Sequence, residues 1–208
     1  MNSVTISRLK QRLTEPLPGR DAQLKMAPSF RLVGSAFEHG TKAGVLILLY
    51  PNPSELHLVL MKRTEYPGVH SAQISFPGGK FDLGDKNLIE TAIREIHEEI
   101  GISSEFIEVL GTLTPLYIPV SEIEVFPAIA FASQKQLFKI APYEVDYLIE
   151  VPVDHLLNAN VVKIKPYFDK KFSGTIPYFD IQGNHVWGAT AMILSEFIEV
   201  LKSTISQQ

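Results

Sequence analysis

The 208-residue chain contains no cysteine, which excludes thiol catalysis, zinc–thiolate sites and disulfides. It has no apolar run approaching the about 18 residues of a membrane helix, and no secretory-type apolar segment near its start. A cytoplasmic protein with no membrane partner is therefore expected. Nor is there a surplus of positive charge. Lys and Arg number 19 against 23 Asp and Glu, and no basic stripe suggests a nucleic-acid surface. Repeats, low-complexity tracts and obvious linkers are missing as well. What remains is ordinary for a globular domain, 45% hydrophobic and 20% charged, and long enough for one sizeable core. A mildly acidic protein of this kind acts on a polyanion only if metal or local Arg and Lys offset the repulsion.

The most informative stretch is Phe76 to Ile102, FPGGKFDLGDKNLIETAIREIHEEIGI. Leu88, Ile89, Ala92, Ile93, Ile96 and Ile100 recur with a helical period. Asp85 stands as the expected N-cap and Gly101 as the expected C-terminal cap. The opposite face carries Thr91, Arg94, Glu95, Glu98 and Glu99. Glu95, Glu98 and Glu99 fall at i, i+3 and i+4, so they share a face. Glu98 and Glu99 sit near the helix C-terminus, where the macrodipole disfavours anions. A cation between them compensates, and oxygen ligands suit Mg²⁺ or Mn²⁺. By themselves such residues equally describe a solvated acidic face, with Arg94 a surface partner of Glu98. The preceding Phe-Pro-Gly-Gly favours a metal site, because a surface helix does not need it.

This segment resembles the Nudix hydrolase signature. It runs Gly79, five residues, Asp85, eight residues, then Arg94-Glu95-Ile96-His97-Glu98-Glu99-Ile100-Gly101-Ile102. The second half matches at every fixed position. The first half has Asp for Glu and one extra residue, a departure familiar in the coenzyme A pyrophosphatase branch. The resemblance implies Glu95, Glu98 and Glu99 as metal ligands, with a carbonyl of the Gly78–Gly79 turn completing the shell. It implies Arg94 as the residue that orients the glutamates. Glu144, in Ala141-Pro142-Tyr143-Glu144-Val145, resembles an acidic element that supplies a further carboxylate, with Asp146 and Glu124 as alternatives. Lys80 is a candidate phosphate contact, although a lysine after a turn is more often only solvated.

Along the chain, residues 3–14 pattern as a short amphipathic helix, and 16–36 as a loop-like arm. Strands are expected at Ala43–Tyr50 and Leu56–Lys62 around a Pro51–Ser54 turn. Further strands are expected at Gln73–Phe76, Glu108–Thr114, Glu124–Phe131 and Tyr147–Val151, with a short helix at Val153–Leu157. Val161–Tyr167 and Thr175–Phe179 read as a hairpin around Lys170–Gly174, before a helix at Ala189–Leu201. This mixture argues an α+β, mixed α/β class. The resemblance implies a Nudix-type α/β/α sandwich around a mixed sheet. Residues 1–36 are expected to form an arm packing on the domain or on a second subunit, and 37–208 the Nudix domain.

Leu58 to Gly79 resembles the additional motif of coenzyme A pyrophosphatases, with Arg63, His70 and Gln73-Ile74-Ser75-Phe76-Pro77 in place. Gly68 replaces the motif's second Arg, and Ala72 its Gly. Pro177-Tyr178-Phe179-Asp180 and Val186-Trp187-Gly188-Ala189-Thr190-Ala191 resemble that branch's C-terminal block. The implied function is metal-dependent hydrolysis of coenzyme A or a derivative to 3′,5′-ADP and 4′-phosphopantetheine. Arg63, His70, Gly79 and Lys80 are the candidate contacts to this nucleotide-like small molecule, and Glu95, Glu98, Glu144 and Arg94 the candidate catalytic set. A lost Arg is a lost bidentate phosphate ligand, so ADP-ribose or a dinucleotide is the alternative substrate. A nucleotide-sensing module without turnover is a third reading, and a homodimer is compatible with all three.

Overall fold

The computed structural model describes residues 3–30, 40–53, 55–168 and 173–206. The expected loop at 31–36, Ser54 and the turn residues 170–172 lie outside them. At the centre is a mixed sheet. Strand β1 (Thr41–Asn52) runs parallel to β7 (Ile123–Phe131) on one edge. On the other edge its C-terminal half pairs antiparallel with β2 (Glu55–Arg63), and its N-terminal half with β4 (Gly78–Lys80). β3 (Ile74–Ser75) and β8 (Val145–Pro152) add to β2, while β5 (Glu108–Thr112) and β6 (Leu116–Ile118) add to β7. A separate antiparallel sheet holds β9 (Val162–Phe168), β10 (Ser173–Ile181) and β11 (Asn184–Trp187).

The continuous apolar run of β1 reflects burial on both faces. Ile47 and Leu49 enter one core, with Ile6, Leu9, Met26 and Phe197. Leu46, Leu48 and Tyr50 enter the other, with Ala92, Ile96 and Ile100. The first face is covered by helices α1 (Ser3–Arg12), α2 (Gly19–Leu24) and α5 (Gly188–Ser206). The second is covered by α3 (Leu88–Ile100). A four-residue helix, α4 (Val153–Leu156), follows β8. The α/β/α sandwich around a mixed sheet is therefore the observed fold. No helix among the described residues is long and apolar enough to cross a membrane.

Three local expectations need correction. The span 16–36 holds helix α2, whose six residues are too few to show a period. Thr91 and Glu99 are buried at 0% and 1% exposure, not on an open polar face. The expected Gly78–Gly79 turn lies in a strand, Gly78–Lys80, with Val45, Gly44 and Ala43 opposite Gly78, Gly79 and Lys80. Gly44 explains how α3 comes so close to this strand pair. A Cβ there would lie 2.1 Å from the Leu88 carbonyl oxygen, so only glycine lets the helix start lie on β1.

Candidate active site

The signature helix begins differently from expectation. Asn87 is its N-cap, its Oδ1 accepting from the amides of Ile89 and Glu90 at 3.0 Å each. Asp85 instead receives the Arg94 guanidinium as a fork, Nε to Oδ1 and Nη2 to Oδ2, both at 3.0 Å. The Thr91 hydroxyl donates to the same carboxylate at 2.8 Å, and the Asp82 amide at 3.1 Å. The Arg94 hydrogen bonds hold the Asp85 carboxyl well below the usual carboxylate range. Arg94 Nη1 reaches forward to Glu95 Oε1 at 2.8 Å and Glu98 Oε2 at 3.1 Å. Its Nη2 also donates to the Lys80 carbonyl at 3.2 Å, joining the helix to β4.

Glu99 points into the sheet side of the helix. Its Oε2 accepts from the Gly78 amide at 2.8 Å, and its Oε1 lies 3.5 Å from Arg63 Nη1. Burial pushes this carboxyl up to about 8, against the opposing pull of the Gly78 amide and Arg63. Burial also raises Glu95, although Arg94 partly offsets it. The Glu95 carboxylate lies over Gly79, where a Cβ would approach it to 2.3 Å. Gly79 is thus a cradle for Glu95, and Gly78, at a φ of +151°, is one for the β1 backbone at Val45.

Glu144 lies at the other end of α3. The amides of Lys139 and Ala141 donate to the carbonyls of Ile100 and Glu99 at 2.9 and 2.8 Å. These bonds satisfy carbonyls left free at the helix C-terminus. Gly101, at a φ of 77°, closes the helix as expected. Thr64 then holds the loop, its amide donating to the Glu144 carbonyl at 3.1 Å and its hydroxyl to that of Tyr143 at 2.9 Å. The Glu144 charge is near enough to raise both Glu95 and Glu99. Asp146, the alternative acid, forms an ion pair with Lys62 at 2.9 Å.

Beside this cluster opens a cleft of about 1020 Å³. Arg63, Gly78, Gly79 and Lys80 line it, and each touches a member of the cluster. His70 and Gln73 lie on its wall, and Tyr167 and Trp187, 5.7 Å apart between ring centres, give it an aromatic side. Trp187 is half-buried at the β11–α5 junction. The wall at Gly68 is closed by Tyr66, whose ring a Cβ on Gly68 would meet at 2.9 Å. The Tyr66 hydroxyl donates to the Val69 carbonyl at 2.8 Å. The structure thus brings together Arg63, Gly78, Gly79, Lys80, Arg94, Glu95, Glu99 and Glu144. Glu98 stands apart, its side chain 53% exposed and turned to Arg94. Among the described residues no three acidic or imidazole side chains converge as a ready-made metal cage. Tyr66 and Tyr167 were not legible as site residues, because a lone aromatic residue in a loop or edge strand has no spacing to distinguish it.

The NUDIX domain family pattern matches residues 40–172. A Nudix hydrolase named NudL from Pectobacterium atrosepticum is 34% identical over 178 residues, covering 84% of this chain and 88% of its own length. The NudL of Yersinia enterocolitica is 31% identical over 160 residues, covering 77% and 80%. Among solved structures, the Nudix hydrolase RenU of M. smegmatis superposes with a TM-score of 0.57 at 17% identity, over 86% of this chain and 94% of that one. A MutT/nudix family protein of Enterococcus faecalis gives 0.51 at 14% identity, over 85% and 66%. At these identities the two structures speak for the fold alone.

Proposed function

The chain belongs to the Nudix hydrolase family, and from that premise we propose that it hydrolyses the diphosphate bond of coenzyme A or a derivative, using Mg²⁺ or Mn²⁺. The products are 3′,5′-ADP and 4′-phosphopantetheine, or its acyl form. The observation that supports the reading is the placement of Glu95 and Glu99 on α3 against the Gly78–Gly79 strand that lines the cleft, the Gly78 amide donating to Glu99 and Gly79 leaving room for Glu95.

The residues fit a divalent cation. Every candidate ligand is a hard oxygen, as Mg²⁺ and Mn²⁺ prefer. Burial makes both Glu95 and Glu99 hold a positive partner more strongly, whether proton or metal. Only Gly79 leaves room for the Glu95 carboxylate where it lies. When bound, the metal supplies a Lewis acid for the phosphoryl oxygens and lowers the pKa of a water. The chain's own groups do the rest. Arg94 fixes Glu95 and tethers Glu98, and the Gly78 amide fixes Glu99. Arg63, beside Glu99, and Lys80 offer positive charge to the diphosphate from the cleft wall. Glu144, on its pinned loop, is the carboxylate we assign to accept the proton of the attacking water.

A second substrate reading has its own support. At Gly68, where the coenzyme A pattern has Arg, an aromatic ring covers the backbone. A substrate without the third phosphate, such as ADP-ribose or a dinucleoside polyphosphate, needs no cation there. The experiment is incubation with coenzyme A, dephospho-coenzyme A, ADP-ribose and diadenosine tetraphosphate, each with Mg²⁺ or Mn²⁺, beside a Glu99→Gln control. Release of 3′,5′-ADP by the wild type alone supports coenzyme A. Cleavage restricted to ADP-ribose or the dinucleotide supports the second reading. Tight binding with no turnover of any of them supports a sensing module and sinks both.

A further inference from the structure

A second hollow lies beside the cleft. It has a volume of about 420 Å³ and is lined by Lys62 of β2, Tyr147 of β8, and Asn184, His185 and Trp187 of β11. Gln73, Ile74 and Trp187 line both spaces, so the two share a wall. A space of this size holds a small organic group rather than a lone ion.

Its chemistry differs from that of the cleft. The only charged side chains lining the cleft are Arg63, paired with Glu99, and Lys80, on the Gly-Gly strand. The cleft wall also holds Ile118, Val120, Ile123, Val125 and Ile193. Such a wall accepts an uncharged chain and offers nothing to a third phosphate. The second cavity instead combines the rings of Tyr147 and Trp187 with the amides of Gln73 and Asn184 and with a cation. Rings and amides together provide stacking and edge hydrogen bonds for a nucleobase. The Tyr147 hydroxyl donates to Asn184 Oδ1 at 2.6 Å, which fixes that amide.

The cation is Lys62. Its Nζ pairs with Asp146 at 2.9 Å and lies 5.3 Å from the centre of the Tyr147 ring. The Asp146 side chain is 49% exposed. An ion pair this open to water is weak, so a phosphate dianion competes for the ammonium. At His185, Nδ1 lies 2.9 Å from Lys165 Nζ. An ammonium only donates, so Nδ1 accepts and the neutral ring keeps its hydrogen on Nε2 as a donor. Lys165 has no carboxylate partner among the described residues, so its charge adds to that of Lys62.

We propose that this cavity is the nucleoside subsite of the substrate. It takes the 3′-phosphorylated adenosine end of coenzyme A, the base against its rings and amides and the third phosphate on Lys62. The pantetheine chain follows the apolar wall of the cleft. The inference rests on the coenzyme A reading, and it draws from β2 the cation that is missing at Gly68.

The subsite is tested with a fragment that has no diphosphate bond. Adenosine 3′,5′-bisphosphate is titrated into the full-length protein in EDTA, and the emission of Trp187, the only tryptophan, is followed. Saturable binding is expected, with AMP weaker by about tenfold, the worth of one charge-assisted contact. Lys62→Met is expected to abolish that preference for the second phosphate and to leave AMP affinity unchanged. Asn184→Leu is expected to weaken both ligands by about tenfold. Calorimetry of methylenediphosphonate with Mg²⁺ is expected to stay within about twofold of wild type in both variants, showing that they fold and keep the cleft. With coenzyme A in steady state, Lys62→Met is expected to raise KM about tenfold with kcat little changed, and to leave dephospho-coenzyme A unaffected. The proposal is overturned if the bisphosphate does not bind, binds no tighter than AMP, or binds equally well to wild type and both variants. If no diphosphate is cleaved while Lys62 still selects the bisphosphate, the functional reading fails and the subsite stands.

Discussion

The chemistry at the residue scale turns on one missing methyl group and one buried carboxyl. Gly79→Ala places a Cβ within 2.3–2.5 Å of the Glu95 carboxylate, which is the movable end of a side chain. The fold is therefore expected to survive, with thermal stability changed by less than about 1 kcal/mol. Glu95 is displaced, and Mg²⁺ affinity and kcat/KM are each expected to fall by about 10- to 100-fold. Titration with Mg²⁺ by calorimetry, beside a melting curve, separates the two effects. Glu99 gives a pH signature. Its folded value of about 8 stands above its ordinary 4.5, so the folded state holds this proton more tightly than the unfolded chain. The associated stability is complete below about pH 4.5 and is lost as pH rises towards 8, at up to about 1.4 kcal/mol per pH unit. Metal-free wild type is thus expected to melt at progressively lower temperature between pH 5.5 and 8. Glu99→Gln should show a shallower slope and higher metal-free stability at pH 8, at the expense of activity. Mg²⁺ competes with that proton, so it should flatten the wild-type slope. Identical slopes in wild type and variant, measured in EDTA, contradict this account.

The elements that carry these residues are held in register by Arg94, which ties α3 to the preceding loop and to β4. Lysine is a single point charge and does not reproduce the fork. Arg94→Lys is expected to cost about 1–2 kcal/mol, because Arg94 is about a third exposed, and to lower kcat/KM about 10- to 100-fold. Urea denaturation and steady-state kinetics measure the two losses. The Asp85 side of the clamp contributes above the ordinary Asp value and is lost only as pH falls through its lowered one, so the clamp outlasts mild acid. The sequence made α3, β1 and β2 legible because each is long enough to show its period. It misassigned the N-cap, because Asp85 and Asn87 both have capping chemistry and only the position of Arg94 decides which is free. It read Gly78–Gly79 as a turn because a three-residue strand shows no alternation, and the pairing comes from β1. The burial of Glu99 was illegible for a related reason: its partners, Gly78 and Arg63, come from other strands.

Across the whole molecule, the N-terminal helices and the signature helix lie on opposite faces of one sheet, and this separates stability from chemistry. Ile6, Leu9 and Met26 share a core with Phe197, Ile198 and Leu201 of α5. A buried acid completes that contact. Glu196, at 0% exposure, accepts from the Gly19 amide at 3.1 Å, the Thr114 hydroxyl at 2.7 Å and Gln23 Nε2 at 2.8 Å. Ser195 donates to the Ala22 carbonyl at 2.7 Å alongside it. These bonds join α2, the β5–β6 connection and α5 at one point. Glu196→Ala strands these donors in an apolar setting and opens a cavity, so a loss of about 3 kcal/mol is expected by urea denaturation. Glu95 and Glu99 belong to the helix on the other face, so kcat per folded molecule is expected to stay within about threefold of wild type. Removing residues 1–36 altogether uncovers the apolar face of α5, and a chain of 37–208 is expected to show no cooperative melt. A cooperative melt of that shorter chain would mean that the arm is dispensable for the fold, and a kcat in Glu196→Ala that collapses while its denaturation midpoint holds would mean that the two faces are coupled.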